Sequence, residues 1–215
     1  SGRAGRSGQP AIVLAYCSTG NSHDQYFFKR PGSMVAGVVS PPRLDLANEE
    51  LIRAHVHAIW LTEAKLLLGA SLVKVIDANT AELSLYGNVT QTLRDFPIRQ
   101  KARQRAEKVL HSIADDLAEA DWFSEGWVDE VINKIETSFE QACERWRTLY
   151  RAALKQADSQ HAVIRNASSS LQDRNRADRL YAEAKQQMNL LTSASSAIQS
   201  DFYSYRYFAS EGFLP

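Results

Sequence analysis

Two arginines near the start of the chain are the side chains whose type and spacing most directly suggest chemistry. Arg3 and Arg6 stand three residues apart in a short segment, residues 1–9, made mostly of Ser, Gly and Ala. A guanidinium on such a loop can bind a terminal phosphate and stabilise the charge that develops during phosphoryl transfer. Gly5 lets the backbone approach a neighbouring domain closely. The segment predicts a nucleotide-phosphate contact, and the competing interpretation is a solvated Gly/Arg loop.

The secondary-structure elements that would position these arginines come next in the chain. Residues 11–16 form an apolar, partly β-branched run, which is typical of a strand covered on both faces in a parallel α/β sheet. A short helix is predicted over residues 23–30, because Pro31 and Gly32 stop it. Residues 1–31 therefore predict the tail of an α/β domain.

The rest of the chain predicts mainly helices, so the fold class is mainly α with a small α/β part. Residues 32–96 predict a linker with Pro41-Pro42, a helix capped by Asn48, and a strand-like stretch at 83–86, together a winged-helix-like unit. Residues 97–200 carry apolar stripes at nearly heptad spacing, broken at residues 168–170, and predict an antiparallel helical bundle or coiled-coil insertion. Residues 201–215 predict the start of a further aromatic-rich segment.

The opening segment and its strand resemble the end of motif VI in superfamily 2 helicases. Residues 24–26, 41–48, 55–57 and 199–215 are similar to regions after that motif in large bacterial DEAD/DEAH-type helicases, of the MrfA-like repair or DISARM-type phage-defence groups. The resemblance implies that residues 1–31 are the tail of the second RecA-like domain. It also implies that Arg3, Gly5 and Arg6 face ATP and Mg²⁺, held mainly by the first such domain.

The family's ATP-binding loop, its Asp-Glu motif and its C-terminal cysteine cluster have no counterpart in this sequence. The chain also begins without an initiator Met. We therefore expect a fragment of an ATP-dependent DNA helicase or translocase that is inactive by itself. The alternative from another class is a non-enzymatic helical scaffold whose bundle recruits a protein partner.

Contacts with DNA would have to be local, because 25 Lys and Arg residues balance 25 Asp and Glu residues. Lys29 and Arg30 form one candidate pair, and a second cluster opens the long helices. On a helix that second cluster divides into two faces, so a solvated helix start competes with a phosphate-binding track. Its members are Arg99 and Arg103 on one face, and Lys101, Arg105 and Lys108 on the other.

The histidines and cysteines predict no metal site. His55 and His57 lie about 200° apart on a helix, so one is expected to meet the core and the other solvent. Cys17 could be a nucleophile beside His23 and Asp24, the basis of a third hypothesis, a small cysteine or metal hydrolase, but a small buried side chain is the simpler interpretation. Cys143 lies on an apolar stripe and is predicted to be core.

The remaining features concern location and the end of the chain. No run of about 18 uncharged apolar residues occurs, and the two cysteines form no CxxC pair, so we expect a cytoplasmic protein without a membrane segment. The aromatic run at residues 202–208 is predicted to pack as an interdomain plug. Stacking on unpaired bases is the alternative.

Overall fold

A computed structural model describes residues 16–32, 48–118, 120–193 and 201–215 of the chain. The chain divides into two compact units, Ser1–Leu44 and Asp45–Pro215. The first unit contains α1, Ser22–Phe28, whose first turn is capped when Asn21 accepts a hydrogen bond from the His23 N–H. The predicted strand at 11–16, apart from Tyr16, and most of the predicted linker lie outside the described residues.

The second unit is built from helices, which confirms the mainly α prediction for the part of the chain that is described. A short 3-10 turn, Leu72–Lys74, follows the helix Glu49–Ala64. The helices are α2 (Glu49–Ala64), α3 (Gly87–Arg94), α4 (Phe96–His111), α5 (Ala114–Leu117), α6 (Trp127–Asn133), α7 (Ile135–Arg165), α8 (Leu171–Thr192) and α9 (Ser204–Ser210).

Local sequence explains where several helices begin. The Asn48 side chain accepts a hydrogen bond from the Leu51 N–H, and Ser170 caps α8 in the same way through the Asp173 N–H. Asp95 caps α4 through the Ile98 N–H, and Pro97 occupies the first turn, where its missing N–H costs little. These caps confirm the predicted helix start after Asn48 and the predicted break at residues 168–170.

The strand-like prediction for residues 83–86 is wrong. Among the described residues, the β pairing there is one isolated antiparallel bridge between Ile76 and Leu85. Leu83 has a positive φ of 54°, a left-handed conformation that strands do not contain. The alternating leucines instead reflect burial, because Leu83 and Leu85 both lie in the core. The apolar stripes predicted within residues 97–200 are also interrupted near residue 134, since α6 ends at Asn133 and α7 begins at Ile135.

One hydrophobic core joins the described parts of the second unit. Trp60, Phe139, Trp146 and Phe208 are fully buried in it, and they come from α2, α7 and α9. Core residues therefore come from both sides of the predicted boundaries at residues 96 and 200. Tyr207 and Phe208 of the aromatic run are buried in this same core, so these two side chains pack as predicted, whereas the interdomain position of the run stays a prediction.

The longest helices form an antiparallel hairpin, as predicted. Trp146 of α7 lies beside Leu191 of α8, and His161 stacks on Tyr181 with ring centroids 5.6 Å apart. Beyond Tyr150 the two helices meet through small buried side chains rather than through the main core, and α7 continues for about 22 Å. The buried small residues there are Ala153, Ala157, Ala177 and Ala184. Among all described helices, not one combines the length and apolar character needed to cross a bilayer.

Candidate nucleic-acid interface

The residues predicted to contact ATP cannot be placed. Arg3, Gly5 and Arg6 lie outside the described residues, so the predicted nucleotide contact stays a prediction. The described residues contain no group of three or more His, Cys, Asp or Glu side chains able to hold a metal ion.

Lys29 and Arg30 follow the last turn of α1 and are both exposed. The Arg30 guanidinium lies 4.2 Å from the centre of the Tyr26 ring, which is a cation–π contact. The Asp24 carboxylate at the other end of α1 accepts a hydrogen bond from the Ser18 N–H at 3.0 Å. The predicted contact of Lys29 and Arg30 with DNA stays a prediction.

The second basic cluster divides into two faces of α4, as its spacing predicts. On one face Arg105 donates to the Glu63 carboxylate of α2 at 2.5 Å, so its charge is partly matched. Lys101 and Lys108 on the same side are exposed, and neither forms an ion pair with any described residue. Among the described residues, this face therefore carries two ammonium groups without an ion-pair partner.

On the opposite face of α4, hydrogen bonds and ion pairs hold the arginine side chains in place. Arg94, at the end of α3, donates to the Glu136 carboxylate through Nε at 2.9 Å and through a terminal nitrogen at 2.7 Å. Arg99 approaches the same carboxylate at 3.9 Å, and its Nε donates to the Leu93 carbonyl at 2.7 Å. The hydrogen bond from Arg94 lowers the pKa of Glu136, so this carboxylate stays ionised and holds both guanidinium groups in place.

Arg103 lies one turn further along α4 and is charge-balanced. It donates to Glu107 at 2.9 Å and forms an ion pair with Asp129 of α6 at 2.8 Å. A cleft of about 460 Å³ runs between α3, α4 and α6, with Arg94, Arg99 and Arg103 among its lining residues. The positive charge is therefore concentrated at the Arg94–Arg99 end, where two guanidinium groups share one carboxylate.

Arg94 was not among the residues predicted to bind nucleic acid. A usable signal was present in the helix boundary: Asp95 followed by Phe96-Pro97 marks a new helix start, which puts Arg94 at the end of the preceding helix. The direction in which Arg94 points relative to Arg99 depends on the angle between α3 and α4, and helical periodicity does not contain that angle.

The two histidines behave as predicted. His55 is exposed and contacts the Leu51 carbonyl in its own helix, whereas His57 is buried. The His57 Nδ1–H donates to the Phe213 carbonyl at 3.0 Å, and its ring stacks on Phe213 at 4.4 Å. Burial lowers the pKa of His57 from 6.5 to about 4, and the hydrogen bond to Phe213 opposes this shift only in part. His57 is therefore a neutral packing residue.

Among the described residues, neither cysteine lies in a catalytic arrangement. Cys143 is fully buried in α7, and burial raises the pKa of its thiol to about 12, so the reactive thiolate is absent at neutral pH. Cys17 is half-buried, and the only described ion pair nearby is His23 with Asp24 at 3.7 Å. The described geometry supports neither a cysteine hydrolase nor a metal hydrolase.

Comparison with known proteins gives one distant similarity. Over 128 residues the chain is 27% identical to Druantia protein DruE of Escherichia coli (strain UMEA 4076-1). The match covers 60% of this chain and 6% of DruE, so the chain corresponds to a small part of that protein's length. No protein-family profile matches the chain, and no solved structure matches it.

Proposed function

We propose that this chain is a section of an ATP-dependent DNA helicase or translocase that acts in phage defence. In this proposal residues 1–31 end the second RecA-like domain, and Asp45–Pro215 is an accessory helical unit. The observation that carries the proposal is the motif VI resemblance of residues 1–9, in a chain with distant similarity to Druantia protein DruE. That similarity favours the phage-defence group of helicases over the repair group.

The described geometry is consistent with an accessory role for the helical unit. Its buried ionisable groups serve packing: His57 holds the Phe213 carbonyl, and Arg147 holds the Leu83 carbonyl at 2.9 Å. In the described residues the cysteines and histidines form no catalytic cluster. ATP chemistry would then belong to the site that Arg3 and Arg6 complete together with the first RecA-like domain.

The proposed mechanism uses the two arginines as sensors of the nucleotide state. Closure of two RecA-like domains around ATP and Mg²⁺ would bring Arg3 and Arg6 to the γ-phosphate, where they stabilise the charge of the transition state. Departure of phosphate would remove their ligand and allow the cleft between the domains to reopen. This cycle would couple hydrolysis to movement of the DNA.

The test is substitution of each arginine in the full-length protein. Arg3→Ala and Arg6→Ala should each reduce DNA-stimulated ATP hydrolysis by about 10³-fold or more, the scale known for arginine fingers. Equilibrium binding of a fluorescent ATP analogue should be largely retained. Arg165→Ala, an exposed arginine at the end of α7, is the matched control and should leave turnover unchanged. Wild-type turnover in both motif variants would contradict the proposal.

A second candidate, the non-enzymatic scaffold, is favoured by the hairpin of α7 and α8. Its outer part projects beyond the main core and buries chiefly alanines between its two helices, so its outer faces are open to a protein partner. The two candidates differ in the complete reading frame. A Gly-Lys-Thr/Ser phosphate loop and an Asp-Glu motif before residue 1 would support the motor, and a complete frame without them would support the scaffold.

A further inference from the structure

The cleft between α3, α4 and α6 combines charge with an exposed aromatic ring. Phe96, the first residue of α4, leaves 71% of its surface exposed, so the face of its ring is open to a ligand. It lines the same cleft as Arg94, Arg99, Gln100 and Asn133. Guanidinium groups, side-chain amides and an open aromatic ring thus line one cleft of about 460 Å³.

The two arginines at this end keep most of their hydrogen-bonding capacity. A guanidinium has five N–H donors, and Arg94 uses two of its nitrogens on Glu136. Arg99 uses Nε on the Leu93 carbonyl and only approaches Glu136, at 3.9 Å. The Glu136 carboxylate therefore orients both guanidinium groups, and its single negative charge balances only one of their two positive charges. The remaining positive charge and the free donors suit a phosphate group.

Phe96 distinguishes between possible phosphate ligands. An exposed aromatic ring provides a face on which an unpaired base can stack, a contact worth about 1–3 kcal/mol per base. Bases in a duplex are already stacked on each other and are not available for this contact. Gln100 and Asn133 each offer an amide donor and acceptor to a base edge. The combination fits a nucleotide of a single strand better than a duplex or a phosphorylated peptide.

We propose that this cleft binds single-stranded DNA, with a backbone phosphate at Arg94 and Arg99 and an adjacent base stacked on Phe96. The Arg103 end, neutralised by Glu107 and Asp129, would border the strand without binding phosphate. The choice of DNA as the nucleic acid rests on the proposed function. The cleft itself is argued from the positions of these side chains.

The test measures binding of the 215-residue chain to a fluorescein-labelled oligothymidylate of about 15 nucleotides, a length within known single-strand site sizes, by fluorescence anisotropy. Phe96→Ala should raise Kd about tenfold, the equivalent of one stacked base. Arg94→Gln should raise Kd and flatten its dependence on salt by about one phosphate contact. Phe96→Trp should bind at least as tightly as the wild type.

The matched controls are Lys101→Gln and Lys108→Gln, which remove the same charge from the opposite face of α4. Both should leave Kd within about twofold, since neither lysine lines the cleft. Circular dichroism melts will show that the variants are folded, and Phe96 is exposed enough for its replacement to be tolerated. Binding lost in the lysine variants but kept in Phe96→Ala would overturn the proposal.

Two further outcomes would also overturn it. One is the absence of oligothymidylate binding by the wild-type chain, and the other is binding of a matched duplex at least as tight as that of the single strand. The assay requires no ATP, so its result is independent of turnover. If Arg3→Ala and Arg6→Ala keep wild-type ATP hydrolysis while the cleft variants weaken oligothymidylate binding, only the motor proposal fails. If the arginine variants lose ATP hydrolysis while the cleft variants bind like the wild type, only the proposal for this cleft fails.

Discussion

The hydroxyl of Tyr207 accepts a hydrogen bond from the backbone N–H of Trp146 at 2.8 Å. The same hydroxyl donates to the Ala142 carbonyl at 2.9 Å. In a regular α-helix those two backbone groups bond to each other, so a side chain of α9 bridges one step of the α7 hydrogen-bond ladder. Tyr207 is fully buried, and the Trp146 indole N–H donates to the Leu191 carbonyl of α8 at 3.0 Å. These contacts link α7, α8 and α9.

Removing this hydroxyl should destabilise the helical unit. In Tyr207→Phe the Trp146 N–H and the Ala142 carbonyl lose their buried partner, which costs about 1–3 kcal/mol of unfolding free energy. Urea denaturation of the chain measures this change. Tyr205→Phe is the matched control, because Tyr205 is 39% exposed, and it should shift stability by less than about 0.5 kcal/mol. Equal stability of the two variants would show that the bridge contributes nothing.

His57 should make the stability of the chain depend on pH between about 6.5 and 4. Its pKa is lowered to about 4 in the folded state, so the unfolded chain binds the proton first as the pH falls. Stability is therefore greatest above pH 6.5, decreases as the pH falls toward 4, and changes no further through this group below that value. The full effect is roughly 3 kcal/mol, from 1.36 kcal/mol per pKa unit.

Denaturant titrations of wild type and His57→Gln over this pH range will isolate the histidine from the carboxylates. The difference in unfolding free energy between the two proteins should shrink as the pH falls, because the variant has no proton to bind at position 57. His55→Gln is the control for replacing a histidine of the same helix, and because His55 is exposed it should change the unfolding free energy at pH 7 by less than about 0.5 kcal/mol. A difference between His57→Gln and wild type that does not change with pH would contradict the prediction.

Arg147 is expected to be the arginine of α7 whose loss costs most. Its side chain is 8% exposed, its Nε donates to the Leu83 carbonyl at 2.9 Å, and it pairs with Glu140 at 2.5 Å. Arg147→Met would leave the Leu83 carbonyl without its partner and should cost about 1–3 kcal/mol in urea denaturation. Arg151→Met, at 45% exposure, should cost no more than about 1 kcal/mol. A larger loss for Arg151→Met would reverse this assignment.

The sequence by itself determined the mainly helical character of the chain and several helix starts, because caps depend on neighbours in the chain. Asn48, Asp95 and Ser170 each accept a hydrogen bond from a backbone N–H three residues later, and such caps can be read from residue type and spacing. The separation of His55 from His57 and of Lys101 from Arg103 also followed from about 100° per residue. The alternation at residues 83–86 misled, because burial of Leu83 and Leu85 imitates a strand.

Only the tertiary structure decided which distant side chains meet. The His57 bond to Phe213 spans 156 residues, the Tyr207 bond to Trp146 spans 61, and the Arg94 bond to Glu136 spans 42. Periodicity places each of these residues on a face of its own helix. Whether two such faces meet depends on the packing and crossing of the helices, which the whole core determines and no local segment contains.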